Sequence, residues 1–156
     1  MQAQELAEQG AERELADLRA KWADEIESDA RSSDYRQRAV AYRAIGQFRF
    51  RQKLELLGRG LQDESPSVRG SALVSLELLS RDAPAPVNAA RSVLHRLLTG
   101  DDNQAVRRLA IVCLRNGSPH RDTIGLLSGL ADDDRQDAQL RQAAARVADT
   151  LRKKSR

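Results

Sequence analysis

Apolar residues along this chain return at intervals of three and four, halt at a short polar turn, and begin again, four times over. Between residues 50 and 79 the cycle is complete. Phe50, Leu54, Leu57 and Leu61 are spaced by 4, 3 and 4, which places them on one face of a helix. Gln62-Asp63-Glu64-Ser65-Pro66 interrupts the pattern. Ser65 is the expected N-cap, with Pro66 at the first helical position, where its missing N–H costs nothing. Val68, Ala72, Leu73, Leu76 and Leu79 then form a second stripe, widened by Leu78.

The other segments follow the same plan. Val87, Ala90, Val93, Leu94, Leu97 and Leu98 precede the turn Gly100-Asp101-Asp102-Asn103. Gly100 is the expected C-cap there. Val106, Ala110, Ile111 and Leu114 follow, and Asn116-Gly117 ends that helix. Ile124, Leu127 and Leu130 then lead into Asp132-Asp133-Asp134, after which come Leu140, Ala144, Val147 and Leu151. The first segment is less regular. Leu15, Leu18, Trp22 and Ile26 make its first stripe, and Arg38-x-x-Ala41-Tyr42-x-x-Ile45-Gly46 its second, with polar Gln37 ahead of the arginine. Atypical end repeats are expected of a stacked array, because they cap it.

Aligned on their second helices, the segments read Val68-Arg69-x-x-Ala72, Val106-Arg107-x-x-Ala110 and Leu140-Arg141-x-x-Ala144, separated by 38 and 34 residues. An Asp-bearing turn followed by an apolar-Arg pair, then by Ala and Leu at packing positions, resembles the HEAT repeat. The resemblance covers residues 15–152. The period is below the ~40–47 residues of long HEAT and armadillo arrays, so the chain is similar to the short bacterial HEAT-like repeats found in phycobilisome lyase subunits. A tetratricopeptide array has a period of about 34, but no segment carries Trp-x-x-Leu-Gly-x-x-Tyr. The resemblance implies an all-α, right-handed α-solenoid of about four helix pairs. They run over residues 15–49, 50–81, 85–117 and 118–152 of one domain, after a helical extension (1–14) and before a basic tail (153–156). A greasy face on each pair, too wide for the pair to bury alone, is the physical reason for stacking.

Composition supports helix. Of the 156 residues, 40% are hydrophobic and only 3% aromatic, so the apolar content is mainly Leu and Ala, which suit helices. The four prolines lie between the periodic segments. A single cysteine, Cys113, allows no internal disulfide and suits a reducing compartment. No apolar run nears the ~18–20 residues of a membrane span. The polar start Met1-Gln-Ala-Gln-Glu-Leu lacks the features of a signal peptide. These features predict a soluble, cytoplasmic protein without membrane partners.

The formal charge of +3 conceals segregation. Residues 1–30 carry nine acids and three bases, a net of −6; residues 31–62 carry +6 and residues 141–156 carry +5. Opposite blocks of this size predict charge-driven self-association as one outcome.

Catalytic and metal chemistry have little to stand on. His95 and His120 belong to no His-x-x-x-His or Cys-x-x-Cys pattern. The acidic runs lack the alternation and the sharp glycine turn of a calcium loop, and helix capping accounts for them. Cys113 and Trp22 fall on or beside packing stripes and are expected in the core. There is no phosphate-binding glycine loop, nucleophile elbow or Ser–His–Asp set. The sequence therefore predicts no catalytic residue, no metal and no cofactor.

Two sets of arginines remain. Asp63 precedes Arg69, and Asp101 precedes Arg107, by six residues. With Arg141 these read as structural staples, each turn carboxylate taking hydrogen bonds from amides and from an arginine of its own or a neighbouring repeat. The second set, Arg36, Arg38, Arg43, Arg49, Arg51 and Lys53, is interleaved with Tyr42, Phe48 and Phe50, and continues in Arg108, Arg146, Arg152, Lys153 and Lys154. The resemblance implies that second helices line a concave face. Arg38, Arg43, Arg49, Arg108 and Arg146 are the expected contacts to a partner or to phosphate. The leading expectation is a non-enzymatic scaffold or adaptor for a protein partner. The alternatives are binding of a DNA backbone, as in the HEAT-like alkylpurine DNA glycosylases, and service as an accessory subunit of an enzyme or lyase.

Overall fold

The computed structural model describes residues 3–5 and 11–156. Of the expected N-terminal extension, residues 3–5 are helical, while residues 1, 2 and 6–10 lie outside the described residues. The described chain is all-helical, with no strand. The helices are α1 (Glu12–Asp29), α2 (Tyr35–Gln47), α3 (Leu54–Gly60), α4 (Pro66–Ser80), α5 (Ala85–Gly100), α6 (Gln104–Leu114), α7 (Arg121–Ala131) and α8 (Ala138–Lys154), with a 3-10 turn at Arg51–Lys53 ahead of α3. None is long and apolar enough to cross a membrane.

The turns show why the helices start where they do. Asp34, Asn103 and Asp137 cap α2, α6 and α8, accepting from the backbone N–H of Arg36, Val106 and Leu140 at 2.9, 3.0 and 3.1 Å; His120 Nδ1 does the same for α7. These bonds satisfy amides that the first turn leaves orphaned. The acidic runs thus do not supply the caps themselves. Instead Asp63, Asp101 and Asp133 each accept from the amide two residues on, at 2.9, 2.9 and 3.1 Å. One Asx turn recurs in three alternate connections, α3 to α4, α5 to α6 and α7 to α8.

Helix ends depart from the sequence expectation. Gly100 is the last residue of α5, and the chain leaves through extended Asp101 (φ −66°, ψ 136°). Among the described non-glycine residues the left-handed one is Arg49, φ 58°. It closes α2 in a Schellman motif: Phe50 N–H donates to Ile45 O at 2.9 Å and Arg49 N–H to Gly46 O at 3.1 Å. This closure also splits the stripe predicted from Phe50 to Leu61. Phe50 is buried as the residue that seals α2, stacked on Phe48 at 5.9 Å, and the helix proper begins only at Leu54.

The chain forms two compact units, Met1–Leu79 and Ser80–Arg156. In the first, Leu15 and Ile26 of α1 are buried with Ala41, Tyr42 and Ile45 of α2, Leu57 of α3, and Val68, Ala72, Leu73 and Leu76 of α4. Leu18 and Trp22, expected in this core, are half-buried, and Lys21 Nζ lies 4.9 Å from the Trp22 ring centre. Glycines set the closest approaches. A Cβ on Gly46 would lie 2.7 Å from Ser75 Cα, and one on Gly60 2.7 Å from the Tyr42 ring. Ser75, fully buried, accepts from Gly46 N–H at 3.0 Å and donates to Tyr42 O at 2.5 Å.

In the second unit α5 packs on α6, α7 on α8, and α6 on α8. Val87, Leu94 and Leu98 are fully buried, as are Ala110, Ile111, Cys113, Leu127, Leu140, Ala144 and Leu151. Burying the Val, Leu and Ile side chains among these, each worth about 1.5–3 kcal/mol, is what holds the pairs together. Polar links join α5 to the start of α7. Asn88 Nδ2 donates to Ser118 Oγ at 2.9 Å, Arg91 donates to Ser118 O at 3.1 Å, and His95 Nε2 meets buried Thr123 Oγ1 at 2.9 Å.

Candidate functional site

Four arginines occupy one register of the second helices, Arg38, Arg69, Arg107 and Arg141, each three residues before a buried alanine. Arg69 Nη1 donates to Asp63 O at 2.8 Å and Glu64 O at 3.1 Å, closing its own turn. Arg38 Nη1 does likewise with Ser32 O and Ser33 O, at 3.0 and 3.3 Å. Arg38 then reaches into the next repeat, where Nε and Nη2 each lie 3.0 Å from the two carboxylate oxygens of Asp63. The two side chains are 12% and 13% exposed. Arg107 is buried and donates to Leu98 O at 2.9 Å and to Gln136 Oε1 at 3.1 Å, across to the following turn. Arg141 lies 3.9 Å from Asp134.

Burial would push the Asp63 carboxyl up. The hydrogen bonds from Arg38 and Ser65 N–H, with the charges of Arg38 and Arg69, outweigh it and hold the group below its ordinary value. Asp133 is held at about 2, chiefly by Arg135 and also by Gln136.

The expected contact residues divide. Arg38 has its guanidinium committed to Asp63 and to turn carbonyls, so it stands in the staple register and not on an open track. Arg49 sits in the left-handed closure of α2, with Nη1 3.4 Å from Leu78 O. Arg108 donates to Gln139 Oε1, between α6 and α8. Arg43 and Arg146 are exposed, one in each unit.

Around Arg43 the structure adds Val40 and Tyr35, which sequence reasoning passed over, to the already noted Arg36. Arg36, Val40 and Arg43 recur at i, i+4 and i+7 on α2 and form its outward face. Val40 is 69% exposed and Tyr35, at the head of the helix, 44%. The Arg36 guanidinium lies 5.7 Å from the Tyr35 ring centre. The signal was present in the sequence: Val40 cannot share a face with Ala41 and Ile45, so a helix through all three must leave it outside.

A shallow cavity of about 290 Å³ in the first unit is lined by Glu27, Arg31, Lys53, Glu55, Leu56 and Arg59, among others. Glu27 accepts from Lys53 Nζ at 2.6 Å and from Arg31 at 3.2 Å, and the Lys53 hydrogen bond lowers its pKa. Its cations and carboxylates largely neutralise one another. Among the described residues no group of three or more His, Cys, Asp or Glu side chains is placed to hold a metal ion.

No family model matches the chain, and no curated protein matches it. By its own geometry the described chain is an all-helical protein of helix pairs, three with an Asx aspartate in the turn and four with an arginine at one register of the second helix.

Proposed function

We propose that the chain is a HEAT-like repeat scaffold, a non-enzymatic α-solenoid that binds a protein partner on the outward faces of its second helices. The repeat reading is supported by the common register of Arg38, Arg69, Arg107 and Arg141 and by the Asx turn at Asp63, Asp101 and Asp133. The binding reading is carried by one observation, the exposed Arg36–Val40–Arg43 stripe with Tyr35 beside it. Tyrosine and arginine around an apolar centre are the side chains that dominate protein interfaces. A phosphate track is less well served, because the guanidinium groups of Arg38, Arg49 and Arg108 are engaged within the fold.

The test compares the wild-type chain with Val40→Asp/Arg43→Glu, immobilised in parallel, and adds a duplex-DNA titration at low salt. The scaffold reading expects a protein held by the wild type and released by the variant, with DNA unshifted. Equal retention by the variant removes this surface from the proposal. A DNA shift that weakens by about one power of salt concentration per phosphate contact replaces the reading with nucleic-acid binding.

A further inference from the structure

The first helix pair carries opposite charges on its two outward faces. On α1, Glu14, Asp17, Asp24 and Glu25 are exposed. At about 100° per residue they fall within an arc of roughly 100°, away from buried Leu15 and Ile26. Lys21 is the one base on that arc, and its ammonium sits over the Trp22 ring. On α2 the outward stripe is Arg36, Val40 and Arg43. Asp17 and Asp24 are seven residues apart, as are Arg36 and Arg43, a separation of about 10.5 Å along either helix axis. The two stripes are thus opposite in sign and equal in spacing. Val40 supplies an apolar centre between the arginines, where the aliphatic stem of Lys21 sits between the aspartates.

Building on the protein-binding reading above, we propose that the partner of the α2 stripe is a second copy of this chain, which lays the acidic outer face of its α1 on Arg36, Val40 and Arg43. Each copy carries both surfaces, so a two-fold pairing makes the contact twice. Doubling matters, because single exposed ion pairs contribute only about 0–1 kcal/mol. Covering Val40 and Tyr35 adds apolar burial at the centre of each contact.

Sedimentation of the full chain at about 20 mM and about 500 mM salt tests this, since screening lengths differ several-fold across that range. A dimer is expected at low salt and a monomer at high salt. Arg36→Glu/Arg43→Glu and Asp17→Lys/Asp24→Lys should each weaken the homodimer by at least about tenfold in Kd, like charges now facing each other. Mixing the two variants should restore association, because the reversed stripes match. All four residues are exposed, so both variants should retain wild-type helicity and melting temperature. Val40→Asp removes the apolar centre without reversing a stripe and should weaken the dimer as well. A wild-type chain that stays monomeric at low salt and high concentration, a dimer that survives Arg36→Glu/Arg43→Glu, or a mixture that fails to associate overturns the proposal. If the monomeric chain still retains a different protein through Val40 and Arg43, the second-copy assignment fails while the scaffold reading stands.

Discussion

The guanidinium of Arg38 closes on the carboxylate of Asp63 through two hydrogen bonds of 3.0 Å, across 25 residues of sequence. One side chain stands on the second helix of its pair and the other in the Asx turn of the next pair. The same carboxylate caps Ser65 N–H, so one aspartate orders its own turn and receives the preceding repeat.

Removing either partner should therefore be costly. Asp63→Ala leaves a largely buried guanidinium partly unpaired, and Arg38→Ala leaves a carboxylate so. Each should lower unfolding free energy by about 2–3 kcal/mol, read by urea denaturation, and the double variant should cost less than the two singles together. Additive losses would show that the pair is not coupled.

The pair also sets an acid dependence. The folded pKa of Asp63 lies below its ordinary value. Its stabilising contribution is thus fully present above the unfolded pKa of about 3.9 and is lost as pH falls through the folded value. Asp133 contributes in the same sense, down to about pH 2. Melting temperature should decline below about pH 4, and Asp63→Asn should flatten part of that decline. An unchanged acid limb would count against the clamp as its source.

Glycines of identical composition should respond oppositely. Gly46→Ala drives a Cβ to 2.7 Å from the Ser75 backbone and should cost about 1–3 kcal/mol or more. Gly129, inside α7, has nothing within 4 Å of a built Cβ. Gly129→Ala should add about 0.5–1 kcal/mol through helix propensity. Thermal melts of the two variants, side by side, check both signs.

Arg49 pays a conformational cost where glycine would not. At φ 58° its Cβ crowds the backbone, and glycine is the usual residue at this closing position. Arg49→Gly should raise stability by about 0.5–1 kcal/mol. Loss of stability would show that the contact of Nη1 with Leu78 O outweighs the strain.

His95 should titrate below its ordinary value. Burial is the main cause, with the charge of Arg91 and the neighbouring His120 adding to it. A depressed histidine stabilises the fold above its unfolded pKa of about 6.5, and that contribution is lost as pH falls through the folded pKa. Ring-proton NMR should place the His95 midpoint below the ordinary histidine value of about 6.5, and His95→Gln should reduce the change in melting temperature between about pH 7 and pH 5. A midpoint at or above that value would show that burial does not depress His95.

The helices and most of the core were legible in local order alone. Val68, Val106 and Leu140, with Ala72, Ala110 and Ala144, are all buried, because spacing by three and four determines which side of a helix a residue occupies. The recurring turn aspartates were legible for the same reason, since an Asx turn involves only residues two apart. What lay beyond local order was partnership. The position of Arg38 beside Asp63 depends on how two helix pairs meet, so an arginine that reads as surface charge becomes a clamp. Gly100 does not give α5 the glycine closure expected of it, because the chain leaves through extended Asp101; the left-handed closure falls at Arg49, where the burial of Phe50 sets how α2 ends. The exposure of Val40 and Tyr35, which carries the candidate site, depends on what covers α2. Periodicity dictated the elements and their inward faces, through chain geometry that every helix obeys. Only the packing of one pair against the next decided which arginines are tied down and which face outward, because that choice rests on distances between residues far apart in the chain.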